Sequence, residues 1–191
     1  HALILADLPF MSYVTLPDAV ANSRKLMQAG AHVIKIEGGS ELCDLVKTLA
    51  QAGTPTCVHL GLTPQSVNVF GGYKIQGRGD AAAEKLLADA KAVVEAGAAL
   101  LVLECVPAEL AKAVTEDVAV PVIGIGAGAA TDGQVLVMHD MLGMVHGRVP
   151  RFVHDFLTDE RNSARSIEGA FALYQQSVRD GSFPTEQHQF S

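Results

Sequence analysis

The sequence has no tryptophan, three cysteines, and fewer cations than anions: 14 Lys+Arg against 21 Asp+Glu. Cys43, Cys57 and Cys105 form an odd, unclustered set, which argues against a disulfide framework and suits reduced core thiols. A formal net charge of −7 without a Lys/Arg cluster argues against a nucleic-acid partner. No run of about 18 uncharged apolar residues occurs, so no membrane-crossing helix is expected. No charged-then-apolar leader opens the chain, and the expected location is cytoplasmic. Apolar residues, by contrast, are abundant. They make up 49% of 191 positions, which excludes disorder and supplies a core without disulfides or metal.

Short apolar runs at 2–7, 31–37, 55–61, 99–104, 120–125 and 134–139 read as strands. They are continuous instead of alternating, as in strands buried on both faces. Amphipathic helical patterns lie between them. Thr15 and Asp18 open one near 16–29, Ser40 caps the next, and others fall near 80–96 and 107–116. Gly30, Gly53 and Gly97 stand just past these helices, as C-terminal glycines do. Residues 150–180 read as one or two helices and 181–191 as a frayed end. The βα alternation predicts a parallel sheet covered by helices. A (β/α)8 TIM-type barrel needs about 250 residues, so six strands leave a shortfall of roughly 60, about two βα units. His1 opens almost inside a strand. The expectation is therefore a single barrel domain over 1–191, lacking about two N-terminal βα units, with 150–191 as C-terminal helices and tail. The edges at 2–7 and 134–139 should be left without partners.

Reactive side chains in such folds gather at the carboxyl ends of strands. Here those ends carry Asp7, Lys35 and Glu37, His59, Glu104, and His139-Asp140. Lys35 and Glu37 are two residues apart and share a face. Carboxylates beside an imidazole suit a hard divalent cation and a general base, with Asp7 and Glu37 as ligand candidates. Lys35 suits a substrate carboxylate or an enolate oxygen. Glu104 follows Leu101-Val102-Leu103, an apolar setting that favours a proton acceptor. Gly124-Ile125-Gly126-Ala127-Gly128-Ala129 superficially matches a dinucleotide loop, but the next strand starts too soon for the required helix. A lone His139-Asp140 is a weak phosphohydrolase signal, and His32, His146 and His154 read as surface or packing residues. The stretch 61–80 is a long connection, so Gly71, Gly72, Lys74 and Arg78 read as parts of a lid or binding loop.

Several motifs together resemble the ketopantoate hydroxymethyltransferase family. They are Leu5–Phe10 (LADLPF), Val33–Gly39 (VIKIEGG), His59–Ser66 (HLGLTPQS), Gly71–Arg78 (GGYKIQGR), Leu103–Pro107 (LECVP) and Ile123–Gly128 (IGIGAG). The resemblance implies a phosphoenolpyruvate/pyruvate-type barrel. It implies Mg²⁺, with 5,10-methylenetetrahydrofolate donating a hydroxymethyl group to 3-methyl-2-oxobutanoate, on the way to pantothenate and coenzyme A. By matching motif, Asp7 falls on a metal ligand and substrate contact, Glu37 on a metal-site carboxylate, and Lys35 on a ketoacid contact. Glu104 falls on the proton acceptor and His59 on a substrate-side histidine. The family's upstream V-G-D-S motif has no counterpart here. The resemblance further implies a homo-oligomer, typically a decamer, with a 2-ketoacid and folate as small-molecule partners. A lyase or mutase acting on another 2-ketoacid, and a non-catalytic binding protein, are the alternatives.

Overall fold

The computed structural model describes residues 2–145 and 147–191; His1 and His146 lie outside them. The chain runs β1 (Leu5–Asp7), α1 (Leu16–Gln28), β2 (Val33–Glu37), α2 (Cys43–Gln51), β3 (Thr56–Gly61), α3 (Val67–Phe70), α4 (Asp80–Glu95), β4 (Leu100–Glu104), α5 (Ala108–Asp117), β5 (Val122–Ile125), β6 (Gly133–Gln134), α6 (Met138–Met141) and α7 (Ile167–Arg179). The strands form one sheet in the order β1-β2-β3-β4-β5-β6, parallel throughout. Strand order never reverses, so the winding is that of a barrel and not of a doubly wound sheet. Six strands make a curled half-barrel. Among the described residues, β1 pairs only with β2 and β6 only with β5. The two edges expected to lack partners are thus the sheet's edges.

Strand period two sorts the side chains into two layers. Ile34, Ile36, Val58, Leu60, Leu101 and Leu103 pack outward against helix residues such as Val46, Val93 and Val114. Val33, Cys57, Val102 and Ile125 face the inside, where Phe152 covers them. All three cysteines are free, two of them buried. Desolvation pushes the Cys57 and Cys105 thiols up to about 12, so both behave as core atoms and not as nucleophiles. Thr15 caps α1, accepting from the Asp18 amide, as expected. Gly30, Gly53 and Gly97 take positive φ after their helices, also as expected. No helix among the described residues is long and apolar enough to cross a membrane.

Four expectations change. The run 134–139 pairs over two residues only. Val135 still bonds to Gly124, but the chain then turns into α6, so His139 sits on a helix and not at a strand end. An apolar run at a sheet edge has a neighbour on one side only, and hydrophobicity alone does not keep it extended. Ser40 starts a 3₁₀ turn over Ser40–Leu42 and bonds Asp89 instead of capping α2. Of 150–180 only α7 is α-helical; Asp155 and Asp159 accept backbone amides two and three residues ahead and hold the preceding stretch in turns. The end 181–191 is packed. Phe183 joins a core with Phe156 and Tyr174, and Phe190 forms a parallel bridge with Pro107. Aromatic anchors outweigh the polar composition of that segment.

Asp159 holds the irregular stretch together. It receives a forked pair of bonds from Arg161 at 3.0 and 2.8 Å and lies 2.7 Å from His154 Nε2. Arg161 above all, with His154 and against the effect of burial, keeps its carboxyl well below the usual range. The stability it contributes is complete above the unfolded value of about 3.9 and is lost as pH falls through the lower folded value. Asp159→Asn should therefore cost more stability at pH 7 than at pH 3 in urea unfolding. Equal losses at both pH values would exclude this linkage.

Candidate functional site

Asp7, Lys35, Glu37, His59 and Glu104 all fall on the inward face. The register pairs Asp7 with Lys35, Glu37 with His59, and Gly61 with Glu104. Their side chains form one continuous line. Lys35 Nζ is bonded to Asp7 Oδ1 and lies 3.7 Å from Glu37 Oε1. His59 Nδ1 is 3.8 Å from that same oxygen, and His59 Nε2 is 3.2 Å from Glu104 Oε2. Despite the short approach to Glu104, neither imidazole nitrogen has a hydrogen bond with proper alignment, and both are shielded from water. The His59 side chain is 4% exposed and that of Asp7 55%, so the line runs from a dry centre to an open edge.

Two residues not anticipated from sequence brace the line. Gln65 donates its backbone N–H to Glu37 Oε2 at 2.9 Å and its side-chain amide to the Leu8 carbonyl at 3.0 Å. Tyr13 donates its hydroxyl to Gln65 Oε1 at 2.7 Å. Gln65 stands inside the quoted HLGLTPQS motif, so a signal existed; Tyr13 has none. Gly61 makes the close crossing at the base of the site. Its φ is +87°, and an added Cβ would overlap the Glu104 carbonyl oxygen, to which Leu62 N–H donates at 2.8 Å. Gly61→Ala should cost roughly 3 kcal/mol in chemical denaturation, from the left-handed backbone and the overlap together. A loss below about 1 kcal/mol would mean that the turn relaxes freely.

Two cavities meet this line. One of about 360 Å³ is lined by Glu37, His59, Gly61, Gln76 and Asp89. The other, about 1250 Å³, is lined by Glu104, Asp140, Phe152 and the loop residues Lys74 and Arg78. Burial, helped by the charge of Glu104 and opposed by His139, raises the Asp140 carboxyl from its usual range. The 61–80 connection contains a 3₁₀ turn (Pro64–Ser66) and α3, which ends at Gly71 in the left-handed region. Gly72, also at positive φ, returns its N–H to Val67. The glycine-rich run after β5 is a tight turn. Gly126 and Gly128 have positive φ, and no helix precedes β6, as a dinucleotide site would require. His32 and His154 are packing residues, accepting from Ile4 N–H and pairing with Asp159 respectively. His146 lies outside the described residues.

No group of three or more His, Cys, Asp or Glu side chains gathers as a metal cage among the described residues. The donor set nevertheless fits a hard cation. Asp7 and Glu37 converge on one positive charge, the Lys35 ammonium, and Mg²⁺ is commonly held by one or two carboxylates with water and substrate completing its shell.

Sequential parallel winding, with carboxylates, an imidazole and an ammonium gathered near the strand ends, defines a barrel-type α/β protein. A family profile described as ketopantoate hydroxymethyltransferase matches residues 1–186. The chain belongs to that family. It is 88% identical over 191 residues to the 3-methyl-2-oxobutanoate hydroxymethyltransferase of Psychrobacter cryohalolentis, covering 100% of this chain and 72% of that protein. It is 58% identical over 190 residues to the protein of the same name from Yersinia enterocolitica, covering 100% and 71%. Among solved structures, it superposes on a dihydrodipicolinate synthase from Agrobacterium tumefaciens with a TM-score of 0.46, at 16% identity over 70% of this chain and 48% of that one. The family named on the motifs is therefore the family found.

Proposed function

We propose that the site transfers a one-carbon unit from 5,10-methylenetetrahydrofolate to 3-methyl-2-oxobutanoate, giving 2-dehydropantoate, in a cytoplasmic homo-oligomer. The observation that carries this reading is the unbroken Asp7–Lys35–Glu37–His59–Glu104 line on one face of four neighbouring strands. Asp7 and Glu37 would hold Mg²⁺, which when bound supplies a hard Lewis acid that polarises the 2-oxo group. Lys35 places a positive charge where the ketoacid carboxylate or the developing enolate oxygen needs one. Glu104 takes the C3 proton: the C–H bond breaks, its electron pair becomes the enolate, and C3 bonds to the folate-borne carbon. One water is consumed as tetrahydrofolate leaves. His59, 3.2 Å from Glu104, stands where it can orient that carboxylate. Most of this line is shielded from water, which strengthens each of these interactions.

The test is an assay of the purified protein with both substrates and Mg²⁺, following 2-dehydropantoate and tetrahydrofolate together. Formation of both in equal amounts is expected. Turnover of the ketoacid without any folate requirement would replace this reading with that of a lyase or mutase.

A further inference from the structure

The turn that follows Glu104 is strained. Among the described residues, three other than glycine take positive φ: Met11, Cys105 and Arg165. Met11 and Arg165 are exposed, while Cys105 is buried and follows Glu104 directly. Its φ is +49°, where a residue with a Cβ is seldom found, and such a conformation persists only where its surroundings hold it. Neighbouring elements hold it on both sides. Cys105 N–H donates to the Ile125 carbonyl at 2.9 Å, and the Cys105 carbonyl accepts from Gln76 N–H at 2.9 Å. A further hold comes from far along the chain. Residues 187–191 cross the loops after β4 and β5 as a strap. Phe190 forms a parallel bridge with Pro107, and its carbonyl accepts from Ala108 N–H at 2.9 Å. Its ring lies against Phe152, centroids 6.4 Å apart, at the inner cluster that contains Cys105. Arg151 donates to the Gln187 carbonyl and Arg78 to the Ser191 main-chain oxygen, one at each end of the strap. The strap also accounts for the glycine-rich run after β5. A Cβ at Gly126 would overlap Phe152 and crowd Phe190; one at Gly128 would overlap Ala108 and crowd Gln189. The run is the floor on which the strap lies.

We infer that Phe190 is a positioning residue for Glu104: the strap holds the turn after β4 in its left-handed form, and that form aims the carboxylate. Without the strap, Cys105 relaxes towards negative φ. The peptide joining it to Glu104 then rotates, and the carboxylate moves relative to the ketoacid. Phe190 itself takes no part in the chemistry. Its role rests on the reading of Glu104 as the proton acceptor, proposed above.

The experiment follows solvent exchange of the C3 proton of 3-methyl-2-oxobutanoate by NMR, without folate, on the intact protein and on Phe190→Ala and Phe190→Leu. Thermal unfolding checks that each variant folds. Phe190→Ala should lower kcat for exchange about tenfold while KM stays within about twofold, because misplacing a reacting group costs rate before it costs binding. Phe190→Leu, which refills the seat, should restore most of the rate. Glycine takes the left-handed region freely, so in a Cys105→Gly background Phe190→Ala should cost only about threefold or less. Wild-type exchange by Phe190→Ala, a loss confined to KM, or an undiminished loss in the Cys105→Gly background overturns the role. If Phe190→Ala fails to fold, Ala108→Pro takes its place. Position 108 opens α5, where proline is tolerated, yet the ring removes the N–H that the Phe190 carbonyl accepts. The same loss of kcat is expected there, and unchanged exchange overturns the role. Glu104→Gln, run alongside, separates the two readings. Undiminished exchange in Glu104→Gln removes Glu104 from the chemistry, and the strap's role with it. Exchange that depends on Glu104 but not on Phe190 overturns the strap alone.

Discussion

Glu104→Gln is expected to slow solvent exchange of the C3 proton of 3-methyl-2-oxobutanoate by about 10³-fold, within the range a positioned general base supplies. Ketoacid binding should persist. Glu104 closes an inward-facing line in which His59 Nε2 approaches its carboxylate to 3.2 Å. The amide keeps the shape of the side chain and loses its capacity to take a proton. Its packing against the Gly61 crossing involves main-chain atoms and is unaffected, so the fold should survive. Exchange is the right readout because it needs neither folate nor carbon–carbon bond formation. Exchange at the wild-type rate would remove Glu104 from the chemistry and turn attention to Asp140, the other carboxyl in that cavity.

Asp7→Asn is expected to weaken Mg²⁺-dependent ketoacid binding on the order of 100-fold or more, since even outer-sphere partners of a metal contribute 10- to 100-fold. Asp7 is the most exposed member of the line, and its bond to Lys35 holds it beside Glu37. Removing its charge halves the carboxylate pair and leaves Lys35 facing Glu37 alone. Calorimetry with Mg²⁺ and ketoacid, separately and together, measures the effect. Loss of the joint binding, with weak ketoacid binding to Lys35 retained, is the expected pattern. Unchanged joint affinity would place the cation elsewhere.

The site was legible in the sequence to the extent that it depends on strand periodicity. Lys35 and Glu37 must share a face because side chains alternate along a strand, and the structure puts both inward. Asp7 and Glu104 could be named because each closes an apolar run, and His59 because it interrupts one near its carboxyl end. Their mutual geometry could not. Glu37 pairs with His59 and His59 with Val102, so Glu104 stands two residues further along the sheet. It is the side chain of His59 that bridges the step. Gln65 reaches Glu37 through a backbone amide, a bond open to any residue type but proline and so absent from side-chain patterns. That Lys74 and Arg151 line one cavity is equally invisible, because they come from two connections far apart in the chain.

The sequence by itself determined the parallel βα class, the strand-end chemistry and, through its motifs, the family. These are properties of short windows, where periodicity of 2 or 3.6 and the spacing of a few side chains are enough. Only the tertiary structure decided that 134–139 leaves the sheet after two residues, that the polar end 181–191 is pinned by Phe183 and Phe190, and that a buried imidazole links two carboxylates. Each of these outcomes depends on what lies across space: a missing neighbour at a sheet edge, an apolar pocket contributed by other elements, a stagger summed over several strands. No local window contains those partners, so no local pattern records them.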